Sequence, residues 1–172
     1  CVKVSVNFSR KHIPDHGFAG TLCEITDAYG IAHELLKVEL TESALIDNSM
    51  EQVEAFVKKI RREGFSVAVD DFGCGAASLS LLREADFDTL KIDKSFIDNA
   101  FEKDVTILTH IVNLAKAINM KIVAEGVENE KQQEILQNLG VGIVQGFYFD
   151  RAVSKEEIAK RISRKDYRMK QD

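Results

Sequence analysis

Six short apolar runs of period two recur along this chain, and a longer segment of helical period separates most of them from the next. The runs are "VKVSVN" (2–7), "LLKVEL" (35–40), "FSVAVDD" (65–71), "TLKID" (89–93), "KIVAEG" (121–126) and "VGIVQG" (141–146). Period two marks strands and the longer period marks helices. Strands joined through helices cannot pair as hairpins, so the series predicts a parallel sheet covered by helices, an α/β fold. Two architectures satisfy that pattern: an open doubly wound sheet and a closed (β/α)8 barrel. No glycine-rich G-x-G-x-x-G turn follows the first strand. That weakens the dinucleotide-binding form of the open sheet. A barrel takes eight strands and about 250 residues. The 172 residues hold six βα units, and the chain starts at Cys1 in what reads as a strand already under way. It is therefore expected to be a piece of something longer.

The helices carry their own punctuation. In "NSMEQVEAFVKKIRREG", Val53, Phe56, Val57 and Ile60 share one face, Asn48 and Glu51 are expected to form a capping box, and Gly64 stops the helix. Asn129 and Gln132 open the next well-marked helix, which Gly140 closes. Ser154 and Glu157 cap a last one through Ile162, and the charged tail "RKDYRMKQD" is expected to fray.

Composition excludes several classes of function. The net charge of −5 and pI near 5.5 argue against general nucleic-acid binding, which needs a basic surface. No apolar run approaches the roughly 18 residues of a membrane helix, and no signal peptide is expected. A cytoplasmic location is expected, or the cytoplasmic part of a larger and membrane-attached protein. Cys1, Cys23 and Cys74 lack metal-ligand spacing and read as unpaired thiols. His12 and His16 stand four apart, but Pro14 and Gly17 break the helix that would pair them as ligands.

The strand ends carry the chemistry. Asn7, Glu39, Asp70 with Asp71, Lys91 with Asp93, Glu125 and Gln145 each lie at or near the carboxyl end of a strand. In parallel α/β proteins those ends form one surface, where the site sits. Alternation puts Lys91 and Asp93 on one face and Leu90 and Ile92 on the other. Wet strand ends explain one or two polar residues, but not all six strands. Four acids and an asparagine carbonyl make a hard oxygen-donor set suited to Mg²⁺ or Mn²⁺. With one carboxylate bridging, two cations would sit about 4 Å apart, the spacing used in phosphodiester cleavage. Lys91 offers a proton or a charge for a phosphate oxygen, and its removal is expected to spare the fold. Glu125 offers a base or an orienter for water. The tetrapeptide "DDFG" also contains the Asp-Phe-Gly of protein kinases, but the glycine-rich loop and His-Arg-Asp of that set are missing.

The stretches "VSVNFS", "ELTES", "VAVDDFGCGAASLSLL", "LKIDKSFI", "IVAEGVE" and "VQGFYFDRAVS" resemble the EAL-domain family of bacterial cyclic di-GMP phosphodiesterases, in the family's order and over residues 1 to about 162. The resemblance implies a modified TIM barrel with one antiparallel strand, present here as about six βα units. It implies hydrolysis of cyclic di-GMP to linear pGpG with Mg²⁺ or Mn²⁺, two ions to a complete site. Asn7, Glu39 and Asp70 match ligands of one metal, and Asp70 and Asp71 those of the second. Glu125 stands nearby as ligand or base. Lys91 matches the lysine beside the attacking water, and Gln145 the supporting glutamine. Glu42 matches the acid that anchors the loop from Phe72 and Gly73 through Gly75, which couples a homodimer interface to metal binding. Asp93 and Glu128 also fall at family positions.

Three departures accompany the resemblance. The Glu-Ala-Leu triplet, whose Glu is a metal ligand in the family, is absent, as is the region before it. Cys74 and Ala76 stand where a threonine and an aromatic are usual, and Ala152 where proline is usual. The expected assignment is thus the C-terminal two-thirds of an EAL domain, whose parent protein can carry sensory or GGDEF domains. A second possibility stays open: an inactive EAL domain that binds cyclic di-GMP, or a protein, without hydrolysis.

Overall fold

A computed structural model of the chain describes residues 2–73, 79–98 and 102–163. Cys1, Cys74, Gly75, Ala76 and the tail from residue 164 lie outside the described residues. The six expected strands form: β1 (Val4–Asn7), β2 (Leu36–Thr41), β3 (Ser66–Phe72), β4 (Thr89–Ile92), β5 (Lys121–Ala124) and β6 (Ile143–Val144). They pair in sequence order, and every pairing is parallel. The helices are α1 (Phe18–Ala28), α2 (Glu42–Ile46), α3 (Met50–Arg62), α4 (Leu79–Glu84), α5 (Ser95–Asp98), α6 (Glu102–Ala117), α7 (Glu130–Asn138) and α8 (Lys155–Ser163).

Alternation along the strands divides the sheet into two sides. Val38 pairs with Val67, Leu40 with Val69, Val69 with Leu90, and Leu90 with Ile122. These residues are buried in one core with Val53, Phe56, Val57 and Ile60 of α3 and with Leu108 and Val112 of α6. Burial of each such side chain is worth about 1.5–3 kcal/mol. The other side is the concave face of a half-barrel and carries Lys37, Glu39, Ala68, Asp70, Thr89 and Lys91. The central strand reads "VAV" because both of its sides are covered, and Val67, Ala68 and Val69 are all fully buried. β1 is exposed along its length, as expected of an edge strand.

One cap differs from the sequence expectation. The box that opens α3 is Ser49 with Gln52, not Asn48 with Glu51. The Ser49 hydroxyl accepts from the Gln52 amide at 3.3 Å, and the Gln52 side chain accepts from the Ser49 amide at 3.1 Å. Asn48 is occupied one turn earlier, where its side-chain amide donates to the Ala44 carbonyl at 2.8 Å and closes α2. The Asn129–Gln132 box of α7 forms as expected, and Ser154 accepts from the Glu157 amide at the start of α8.

His33 joins three elements that the sequence pattern left unconnected. Its ring stacks on Phe65 at 4.4 Å between centroids. Nδ1 lies 2.5 Å from the Glu63 carbonyl at the end of α3, and Nε2 lies 3.0 Å from the Asp27 carboxylate on α1. Both ring nitrogens thus face acceptors, and only the imidazolium donates to both. The Glu63 carbonyl raises the His33 pKa first, desolvation opposes it, and Asp27 adds to the rise. A histidine whose pKa is higher folded than unfolded contributes stability fully below the unfolded value, near 6.5. That contribution is lost as pH rises through the folded value. Urea unfolding of the wild type is therefore expected to show a fall in stability as pH climbs from about 6 to 8, and His33→Gln should flatten that fall. Equal pH profiles for the two proteins would show that the contacts carry no proton linkage.

Candidate functional site

The centre of the site is a lysine that three strands surround. Lys91 stands in the middle of "TLKI" on β4, so period two turns it to the concave face between buried Leu90 and Ile92. Its ammonium lies 2.7 Å from Glu39 Oε2 on β2, 2.8 Å from Asp70 Oδ1 on β3 and 2.6 Å from Glu125 Oε1 just beyond β5. Lys91, Glu39 and Asp70 are each only 5% exposed. Burial by itself lowers the lysine pKa, but the hydrogen bonds donated to Asp70, Glu125 and Glu39 outweigh it and hold the value well above that of a free lysine. The residue is thus a fixed positive charge at neutral pH.

Gln145 extends the network: its side-chain amide donates to Glu125 Oε1 at 2.6 Å. Burial raises the Glu125 carboxyl pKa, the Lys91 contact lowers it, and the charges of Asp70 and Glu39 raise it further, with a net rise. Glu125 and Gln145 also line a shallow cleft of about 360 Å³ with Lys94, Gly126, Glu128 and Asp150. Glu128 sits on its exposed rim, and its backbone amide donates to Gln132 at 2.7 Å.

Two adjacent aspartates on a regular strand point to opposite faces. Asp70 and Asp71 escape that rule through a β-bulge. Val69 registers with Leu90 and Phe72 with Ile92, so β3 carries one residue more than β4 over this stretch. Asp71 absorbs it at φ 53, a left-handed conformation that aspartate tolerates better than most residues. The Asp71 amide turns back to donate to Asp70 Oδ1 at 3.0 Å. As a result Asp70, Asp71 and Glu125 each offer a carboxylate oxygen within 4.8 Å of the others. The Asp71 pKa is raised, first by burial and then by the charges of Asp70 and Asp93. Asp93 lies just past β4 and accepts from the Ser95 amide at 2.8 Å.

This donor set fits a hard divalent cation. It is all oxygen and it is charged. Asn7 registers beside Glu39 on the neighbouring edge strand, where it is exposed. Glu39 faces Lys91 and is not one of the three convergent acids. Phe72 is buried, and the Gly73 amide donates to Glu42 Oε2 at 2.7 Å, while Glu42 itself is 1% exposed. The neighbouring Gly75 lies outside the described residues. The sequence pattern found these acids by their strand-end positions, but nothing in it marked the bulge that brings Asp71 round.

The model of the EAL domain family matches residues 2–152. The probable cyclic di-GMP phosphodiesterase PdeB of Escherichia coli (strain K12) is 34% identical over 91% of this chain, which spans 30% of that protein's length. Among solved structures, the EAL domain of Mycobacterium smegmatis DcpA superposes with a TM-score of 0.89 at 30% identity, covering 94% of this chain and 73% of that one. The manganese/cyclic di-GMP complex of Klebsiella pneumoniae BlrP1 matches with a TM-score of 0.81 at 28% identity, covering 87% and 38% respectively.

The burial of Lys91 argues against one expectation, that its loss would leave stability alone. Removing it strands three carboxylates against one another in a site that water reaches poorly. Breaking such a buried pair costs about 3–5 kcal/mol. Lys91→Met in the metal-free protein is expected to lose that much in urea unfolding at pH 7. A loss below about 1 kcal/mol would mean that solvent already screens the cluster, as at a surface pair.

Proposed function

Because this chain belongs to the EAL-domain family, we propose that it is the phosphodiesterase part of a cyclic di-GMP signalling protein, cleaving the cyclic dinucleotide to linear pGpG with Mg²⁺ or Mn²⁺. The observation that carries the reading is the convergence of Asp70, Asp71 and Glu125 beside the buried ammonium of Lys91. Asp70 and Asp71 would hold the cations together with Glu39, Asn7 and Glu125. When bound, the cations would neutralise the acids, polarise the phosphoryl oxygens and lower the pKa of a nearby water.

The chain's own residues do the rest. Lys91 stays protonated, so it serves as a charge and a positioner rather than as a base. It fixes Glu39, Asp70 and Glu125 from one point, which limits their motion as substrate arrives. Burial raises the Glu125 carboxyl pKa, the direction that makes a carboxylate a better proton acceptor. Glu125 takes a proton from the attacking water as the new bond to phosphorus forms and the bond to one ribose oxygen breaks. Solvent supplies the proton for that leaving oxygen. Gln145 keeps Glu125 turned inward. In this reading the enzyme is a homodimer, and the loop through Phe72, Gly73 and Gly75 carries the state of the interface to Asp71 by way of Glu42.

A second reading is an EAL domain that binds cyclic di-GMP, or a protein, without turning the dinucleotide over. Assays of cyclic di-GMP cleavage with Mn²⁺, run beside ligand affinity, separate the two. Turnover is expected of the full-length protein, with Asp70→Asn there slowing it roughly a thousandfold through the loss of several kcal/mol of transition-state stabilisation. Near-normal turnover in Asp70→Asn at saturating Mn²⁺ would refute the assignment of Asp70. Tight binding with no turnover in the wild type would favour the receptor.

A further inference from the structure

The turn that follows Lys91 touches both loops that carry the convergent acids. Gly73 comes two residues after Asp71, at φ +100, and a Cβ there would lie 2.1 Å from Cε2 and 2.4 Å from Cζ of Phe96. Gly126 comes directly after Glu125, at φ +69, and a Cβ there would lie 2.3 Å from Cβ of Lys94. No side chain fits at either glycine without moving its neighbour. Lys94 and Phe96 therefore press on the backbone of one acid-bearing loop each, from a single turn.

That turn is firmly held. The Asp93 carboxylate accepts from the Ser95 amide, and the Lys94 carbonyl accepts from the amides of Ile97 and Asp98, each at 2.8 Å. Ile97 is 2% exposed and anchors α5 in the core. The buried Glu42 carboxylate accepts from the Gly73 amide at 2.7 Å. The Gly73 peptide is thus held by Glu42 as well as by the Phe96 ring. Asp70, Asp71 and Glu125 carry like charges, and their loops need a wall to keep them from spreading.

We propose that Phe96 is a positioning residue for the site, a wedge on the turn after β4 that sets where Asp71 stands relative to Glu125, with Lys94 doing the same for the Glu125 loop. The claim rests on the reading of the three acids as a cation site. Phe96 acts through the Gly73 backbone, and a shift of about 1 Å in such a shell costs far more in function than in stability.

The test compares Phe96→Ala with Phe56→Leu in the 172-residue chain. Phe56 is a core residue on α3, and its truncation lowers stability without touching either loop. Two readouts are needed. In the metal-free protein, the amide resonances of Asp71 and Gly73 should move in Phe96→Ala and stay put in Phe56→Leu. With Mn²⁺ alone as the probe, Phe96→Ala should bind about tenfold more weakly than wild type, while Phe56→Leu binds equally well. Gly73→Ala should reproduce the Phe96→Ala effect on affinity. The double variant should lose less than the two singles combined, because removing the ring makes room for the new Cβ. Unmoved Asp71 and Gly73 resonances, or Mn²⁺ affinity that stays at the wild-type value while melting temperature falls, would overturn the proposal. A wild-type chain that takes up no Mn²⁺ would overturn the cation reading instead, and the metal-free spectra would still decide whether Phe96 positions Asp71.

Discussion

The contact of one ammonium with three carboxylates governs the interior of this half-barrel. Lys91 meets Glu39, Asp70 and Glu125 at 2.6–2.8 Å, and each acid comes from a different β-unit. Without the lysine the acids would repel; without the acids the lysine would be an unpaired charge in a buried position. The cluster therefore ties β2, β3, β4 and the end of β5 together through charge, on the face where the core's apolar contacts do not reach. It also leaves the site negative, since Asp71 adds a fourth carboxylate that the lysine does not bond. A cation is the economical way to remove that excess, and the donor chemistry suits one.

Two departures from regular geometry let the acids share one place. The bulge at Asp71 reverses the alternation that would aim it at the helices. The close approaches of Phe96 to Gly73 and of Lys94 to Gly126 keep the flanking loops from relaxing outward. Both departures fall at the carboxyl ends of strands, where the βα repeat ends and loop chemistry begins. The sheet supplies a stiff base, and the irregular residues above it do the aiming.

Much of the fold was legible because period two and period 3.6 alternate so cleanly. All six strands appear where the apolar runs predicted them, and so does the buried face of α3. The candidate cluster was legible because a lysine or a glutamate inside an apolar strand has no structural reason to be there unless something pairs with it. What stayed hidden depended on partners distant in sequence. Asn48 looked like a cap until α2 was seen to claim it. No sequence pattern gave His33 a role, and only the fold brings Asp27, Glu63 and Phe65 to it. The burial of Lys91 was hidden for the same reason, since its three acids lie between 21 and 52 residues away in the chain.

The account stands on the claim that Asp70, Asp71 and Glu125 form a cation site already shaped around Lys91. Anomalous diffraction from crystals of the chain grown with Mn²⁺ tests it most directly. The account predicts a manganese peak about 2.1 Å from carboxylate oxygens of Asp70 and Asp71, with Lys91 still bonded to Glu39. A map with no manganese near these acids at saturating concentration, or with the metal held elsewhere on the concave face, would contradict it.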